Sequence, residues 1–269
     1  MALPEAKPPP PALPQRPLAP RLLSWGVWLA FALLLYVSAV QTGFRLDDLW
    51  GSTVDFVLFF RNFWPPDWRA LSDIGRPLVQ TLQMAWLGTV FGVLLGLPWL
   101  FWSSRNTSPS GLLLWFSRTL MTVLRSIPDL VYAAVLVGVL ALGPLPGVVA
   151  LTIFTLSILA KLGSEYVEAV DPGPLEALRA SGASGTHVIV YGVVPQVAAS
   201  LVSYILYIFE VNVRASTVLG FVGAGGVGQL LNTYTALFQY RRLTVLLLVT
   251  FVVVAIIDAA SAWVRSRLT

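Results

Sequence analysis

The run Leu243–Val264, LTVLLLVTFVVVAIIDAASAWV, holds one ionisable residue, Asp258, in 22 positions. Coiled as an α-helix it is about 33 Å long, enough to cross a hydrocarbon layer of about 30 Å. It is apolar on every face, so water cannot be its solvent on any side. The rest of the 269-residue chain is similar, with 57% hydrophobic and only 11% charged residues. A soluble domain carries about 25% charged residues. This chain cannot cover its own surface in water and needs lipid.

Comparable runs lie upstream. They cover Leu22–Gln41, Pro77–Trp102, Val148–Val170 and Val188–Phe209. A further one, Leu112–Leu142, contains Arg118 and Arg125 and is interrupted by Pro128, so it is expected to start near the cytoplasmic surface, bend at the proline and continue as a span. The pattern predicts an all-α polytopic membrane protein with six transmembrane helices. Three parts are expected: a disordered cytoplasmic tail at 1–21, rich in proline and alanine; a first helix with its external loop at 22–76; and a core at 77–269. The first apolar run is too long for a signal peptide and is read as a retained helix. Trp50, Trp64 and Trp68 in the external loop suit a membrane–water interface.

With both termini inside, the inner side holds Lys7, Arg16, Arg21, Arg105, Arg118, Arg125, Lys161, Arg179, Arg265 and Arg267. The outer side holds Arg45, Arg61, Arg69, Arg76, Arg241 and Arg242, with Arg214 near it. The excess inside favours this orientation. The basic residues are scattered, which argues against nucleic acid. Cysteine is absent and His187 is the only histidine, so thiolate chemistry and a metal centre are not expected.

The least apolar helical stretch is the informative one. Asp171-Pro-Gly-Pro174 closes a span, with Asp171 placed to cap the next helix. Then comes Glu176-Ala-Leu-Arg-Ala-Ser-Gly182-Ala183, and, with nine residues between it and Gly182, Gly192-Val-Val-Pro195. A short exposed helix with small residues at Ala177, Ala180 and Gly182 suits docking into a partner's groove, with Glu176 and Arg179 able to pair across it. The alternative is an ordinary solvated loop helix.

Here the chain resembles the inner-membrane permease subunits of ABC importers, whose cytoplasmic loop reads Glu-Ala-Ala, Gly after three residues, and Ile-x-Leu-Pro after nine. Glu176, Ala177, Gly182 and Pro195 fall in register. Leu178 stands for the second Ala, Gly192 for Ile and Val194 for Leu. Arg125-Ser-Ile-Pro-Asp-Leu130, Glu168 to Gly182, and Tyr207 to Gly228 are similar to the permeases of phosphonate importers, related phosphite and phosphate importers included.

The resemblance covers about 78–264 and implies a type I ABC importer permease (MetI-like) fold with its coupling loop at about 171–187. It implies a pathway subunit of the bacterial inner membrane, not an enzyme, with no cofactor in this chain. ATP and magnesium would bind two separate ATPase subunits. The other implied partners are a second copy of the chain, a periplasmic or lipid-tethered binding protein, and membrane lipid. A permease for another small solute such as an amino acid, or a stand-alone secondary transporter, is the alternative.

Candidates for the pathway or gate are Arg125, Asp129, Glu210, Asn212, Arg214, Gly223, Gly225 and Gly226. Charges inside spans are costly and face a cavity or a partner. Arg214 could attract an oxyanion, or could pair with Glu210 four residues away and hold the fold. Arg125 and Asp129 flank Pro128 and either fix the bend or line the inner mouth. Lys161 and Glu165 are expected to pair, and Asp258 to reach an interface or a neighbour. The glycines from 220 to 228 lack the strand and the Gly-Lys-Ser/Thr triplet of a nucleotide site, and are read as a close-packed or re-entrant segment forming the outer gate. Bulky substitution at Gly225 or Gly226 is expected to block uptake and leave assembly of the complex intact.

Overall fold

The computed structural model describes residues 18–44 and 53–267, and among these every regular element is helical. The proline-rich tail before residue 18 and Trp50 lie outside the described residues. Two units are described separately, Met1–Phe59 and Phe60–Thr269. The first contains α1 (Leu18–Gln41), whose stretch Ser24–Gln41 is long and apolar enough to span a membrane and is exposed at nearly every position. Most of α2 (Thr53–Arg61) belongs to it too.

The second unit is the core. Its helices are α3 (Leu71–Trp102), α4 (Gly111–Ser126), α5 (Asp129–Leu140), α6 (Pro144–Glu168), α7 (Pro172–Ala180), α8 (Val194–Leu219), α9 (Gly226–Ala236) and α10 (Tyr240–Arg265). Five helical stretches are long and apolar enough to cross a membrane, and α4 with α5 makes a sixth if that pair counts as one span. The break at Pro128 is sharp: the two helices meet at 82°. Pro128 has no N–H to give and holds Ile127 extended, with φ −94° and ψ 123°, so the helix stops and restarts.

Helices α3 and α6 form the centre. Gly88, Gly92 and Gly96 recur every fourth residue on α3, and each faces α6. A Cβ on Gly88 would stand 2.5 Å from Leu151 Cβ, and one on Gly92 2.3 Å from Thr155 Cβ. The backbones approach so closely only because these side chains are absent, which is how helices gain contact where lipid gives no hydrophobic drive. Three buried clusters stack along the bundle. Ile74, Val227, Tyr234 and Leu246 pack at one end. Met84, Ala150, Leu151, Leu219 and Ala224 lie in the middle. Leu100, Leu159, Val167, Leu175 and Val193 pack at the other end.

Two spans are longer than the hydropathy pattern suggests. Helix α3 begins at Leu71, so Pro77 sits inside it and not in its first turn. Helix α8 runs ten residues beyond Phe209, so Glu210, Asn212 and Arg214 lie within the helix, where their polarity predicts an end. The cost of their charges is met by partners in neighbouring helices.

Candidate functional site

Helix α7 stands at the end of the bundle where α3 and α6 finish. The Asp171 carboxylate accepts from the Gly173 N–H at 2.9 Å and caps it, and Pro172 occupies the first turn. At the other end the Ala183 N–H reaches Leu178 O at 3.0 Å and the Gly182 N–H reaches Arg179 O at 3.0 Å. Gly182 has φ +83°, the left-handed conformation that closes such a cap and suits glycine. Leu175 points inward and is buried, while Glu176, Ala177, Arg179, Ala180 and Gly182 lie toward the open side and are all exposed. The helix is amphipathic, anchored on one side and open on the other.

Below α7 the chain enters a π-helical turn, Val188–Val193, that leads into α8 with Pro195 in its first turn. Gly192 lies in that turn directly under α7. A Cβ there would meet Leu178 Cδ1 at 3.0 Å and Leu175 Cδ1 at 3.4 Å. Leu178 is large where the importer loop pattern has alanine, and Gly192 is small where it has isoleucine. The two departures meet in space and exchange volume between the same pair of positions.

The stage under α7 is polar and clamped. The Glu168 carboxylate accepts from the Arg105 N–H at 2.7 Å and pairs with Arg118, whose Nε donates to Ser103 O at 2.8 Å. Asn106 Nδ2 donates to Val167 O at 2.5 Å. Arg179 donates to Asn106 O at 3.2 Å, and Gln196 Oε1 accepts from the Asp171 N–H at 3.0 Å. The exposed face of α7 is thereby tied to α3, α4, α6 and α8 at once. Sequence reading missed this clamp, because Glu168 pairs with Arg118 fifty residues away. It did anticipate the Lys161–Glu165 pair, 3.7 Å apart.

Further along the bundle, Asn212 is buried and donates to Thr89 Oγ1 and Thr155 Oγ1, each at 2.8 Å, joining α8 to α3 and α6. Glu210 is buried and accepts from Arg265 at 2.5 Å. Arg214 lies 3.9 Å from Glu210 and nearer, at 3.2 Å, to Asp258. Asp258 thus joins α10 to α8. Arg125 and Asp129 stand on either side of the break in no ion pair among the described residues, and Asp129 accepts from the Leu130 N–H at 2.9 Å.

The glycine-rich segment folds back between helices. A turn at Gly220–Val222 leads to Gly223, Gly225 and Gly226, all with positive φ, and then to α9. Gln80 and Thr81 on α3 cap α9, accepting from the Gly226 and Val227 N–H groups at 3.1 and 2.8 Å. A Cβ on Gly226 would lie 2.4 Å from Thr81 Oγ1. Bulky substitution at Gly225 or Gly226 therefore strains the fold itself. The expectation that such variants assemble normally does not suit these two positions.

At the opposite end from α7, Asp67 and Asp73 lie 3.3 and 3.8 Å from Arg242, and the Asp67 N–H donates to Arg241 O at 3.1 Å. Among the described residues there is no cluster of three or more His, Asp or Glu that could hold a metal ion.

A bundle of this build, with an exposed capped helix on a rigid stage, is the architecture of a binding-protein-dependent permease. Residues 88–269 match the family model for binding-protein-dependent transport system inner membrane components, and the chain belongs to that family. It is 38% identical over 203 residues to the phosphite transport system permease protein PtxC of Stutzerimonas stutzeri, covering 76% of this chain and 74% of that one. It is 40% identical over 210 residues to the phosphate-import permease protein PhnE of Mycolicibacterium smegmatis, covering 78% of this chain but only 40% of that longer relative. The fold is that of the permease in inward-facing structures of the MetNI methionine ABC transporter, with a TM-score of 0.67 at 22% identity over 76% of this chain and 99% of that one.

Proposed function

We propose that this chain is the pathway subunit of an ATP-driven importer for small phosphorus oxyanions: phosphonates, phosphite or phosphate. Two copies form the channel, two ATPase subunits bind ATP and magnesium on the inner side, and a binding protein delivers substrate outside. Both termini are cytoplasmic. The observation that carries this reading is α7, whose residues Glu176, Ala177, Arg179 and Gly182 are presented on a clamped stage. The docking of an ATPase against that face would move α3, α4, α6 and α8 together, because all four are tied to it. Pro195 directs α8 away from the stage. The names of the relatives supply the substrate class.

Arg125 and Asp129 stand at the break between α4 and α5, Glu210 and Arg214 on α8, and the turn at Gly223, Gly225 and Gly226 forms the outer gate. Asn212 supports these elements through Thr89 and Thr155. The test is co-expression with the cognate ATPase and binding protein. Co-purification of the ATPase and ATP-dependent uptake of phosphite, methylphosphonate or phosphate into proteoliposomes is expected. A chain that transports alone, without ATPase, would overturn the reading.

A further inference from the structure

Helices α7 and α9 close with the same backbone motif but not with the same residue. At the end of α9 the Phe238 N–H reaches Thr235 O at 3.1 Å and the Gln239 N–H reaches Tyr234 O at 2.8 Å. The end of α7 has the same two bonds, with Gly182 at the left-handed position. On α9 that position belongs to Phe238, with φ +55°. A left-handed backbone is costly for a bulky residue and easy for glycine. The Phe238 ring recovers little of that cost inside the fold. It is 74% exposed and meets Tyr240 edge-on, with centroids 6.2 Å apart. A strained side chain held open to the outside points to a role beyond the fold.

The surroundings of Phe238 are basic. It borders an open recess of about 440 Å³ that Arg241 and the Asp67–Arg242 pair also line. At this end of the core both aspartates, Asp67 and Asp73, pair with Arg242. Arg61, Arg69, Arg76 and Arg241 are exposed there and stand in no ion pair among the described residues. Arg241 is the one of the four that lines the recess. The platform is firm: the Asp67 N–H donates to Arg241 O at 3.1 Å, and Thr244 Oγ1 donates to Phe63 O at 3.0 Å. Leu237, next to Phe238, is also exposed.

An exposed aromatic ring beside an arginine on a rigid support is the composition of an interface anchor, since aromatic and arginine side chains dominate binding energy where proteins meet. Unpaired arginines fit a partner that brings carboxylates. The family is binding-protein-dependent, and this surface lies at the end opposite α7. We propose that Phe238 and Arg241 anchor the substrate-loaded binding protein, which presents an apolar socket to the ring and an acidic side chain to the guanidinium over the recess. The proposal rests on the importer reading given above. A lipid surface, which would also take an exposed ring beside arginines, is the rival occupant.

The test titrates the complex, reconstituted with its ATPase, with the cognate binding protein loaded with phosphite, methylphosphonate or inorganic phosphate, and reads ATP hydrolysis. Phe238→Gly removes the ring and relieves the backbone, so thermal stability should hold or rise. The binding-protein concentration for half-maximal stimulation should nevertheless increase roughly tenfold, the loss of one anchor. Phe238→Tyr should keep the wild-type value. Arg241→Gln should raise the half-maximal concentration as well, and should flatten its rise with added salt. Native mass spectrometry of wild type and variants follows bound phospholipid. An unchanged half-maximal concentration in Phe238→Gly and Arg241→Gln overturns the docking surface, and the same result with loss of bound phospholipid assigns the surface to lipid. A fall in thermal stability of Phe238→Gly makes the ring structural and also overturns it. If the loaded binding protein stimulates the wild-type complex at no concentration, the importer reading fails first and the surface with it.

Discussion

Arg179 donates from its guanidinium to the backbone oxygen of Asn106 at 3.2 Å, and this contact joins α7 to the loop between α3 and α4. Asn106 in turn holds Val167 at the end of α6. A push on α7 therefore reaches the two central helices through one short polar chain. Arg179→Ala should leave the complex assembled but lower the solute moved per ATP hydrolysed. Parallel measurement of uptake and ATP hydrolysis in proteoliposomes checks this, and an unchanged ratio would remove Arg179 from the linkage.

Leu178 and Gly192 should behave as a coupled pair. Gly192→Ile alone drives a branched side chain into Leu178 and should destabilise the complex by about 1–3 kcal/mol. Leu178→Ala alone leaves a gap. The double variant restores the size pattern of related loops and should recover much of both losses. A double-mutant cycle on thermal unfolding reads the coupling; simple additivity would show that the two positions do not share space.

Glu210 and Arg265 form the most buried ion pair among the described residues, with the Glu210 side chain only 6% exposed. Removing the nearer partner of such a pair costs up to about 3 kcal/mol, because the buried carboxylate is left with only Arg214, 3.9 Å away, to offset its charge. Arg265→Ala should thus lower the melting temperature more than Arg214→Ala, since Arg214 sits farther from Glu210 and is half exposed. Equal losses would count against this ranking.

Gly92→Ala should separate α3 from α6, because its Cβ would fall 2.3 Å from Thr155 Cβ. The expected loss is about 1–3 kcal/mol, with weakening of the nearby Asn212–Thr155 hydrogen bond. Gly138→Ala on α5, where nothing lies within 4 Å, should be neutral or slightly stabilising. Thermal melts of the two variants in the same detergent make the comparison.

The spans are legible in the sequence because lipid demands long apolar helices, and the break at Pro128 is legible because proline cannot donate. The loop helix is legible from its capping Asp171, its glycine at 182 and its register. The ends of α3 and α8 are not. Polar residues such as Glu210 and Arg214 read as boundaries when their partners, Arg265 and Asp258, lie far off in sequence. The Gly88, Gly92, Gly96 repeat stands in the sequence at four-residue spacing and marks the central contact.

The central claim is that force enters through the exposed face of α7, and the most direct measurement is substrate-stimulated ATP hydrolysis with uptake in the reconstituted complex carrying Glu176→Lys. Glu176 is exposed, so the variant should fold, insert and melt as the wild type does. The account predicts that binding-protein-dependent uptake and its stimulation of ATP hydrolysis are lost. Uptake at the wild-type rate would contradict it.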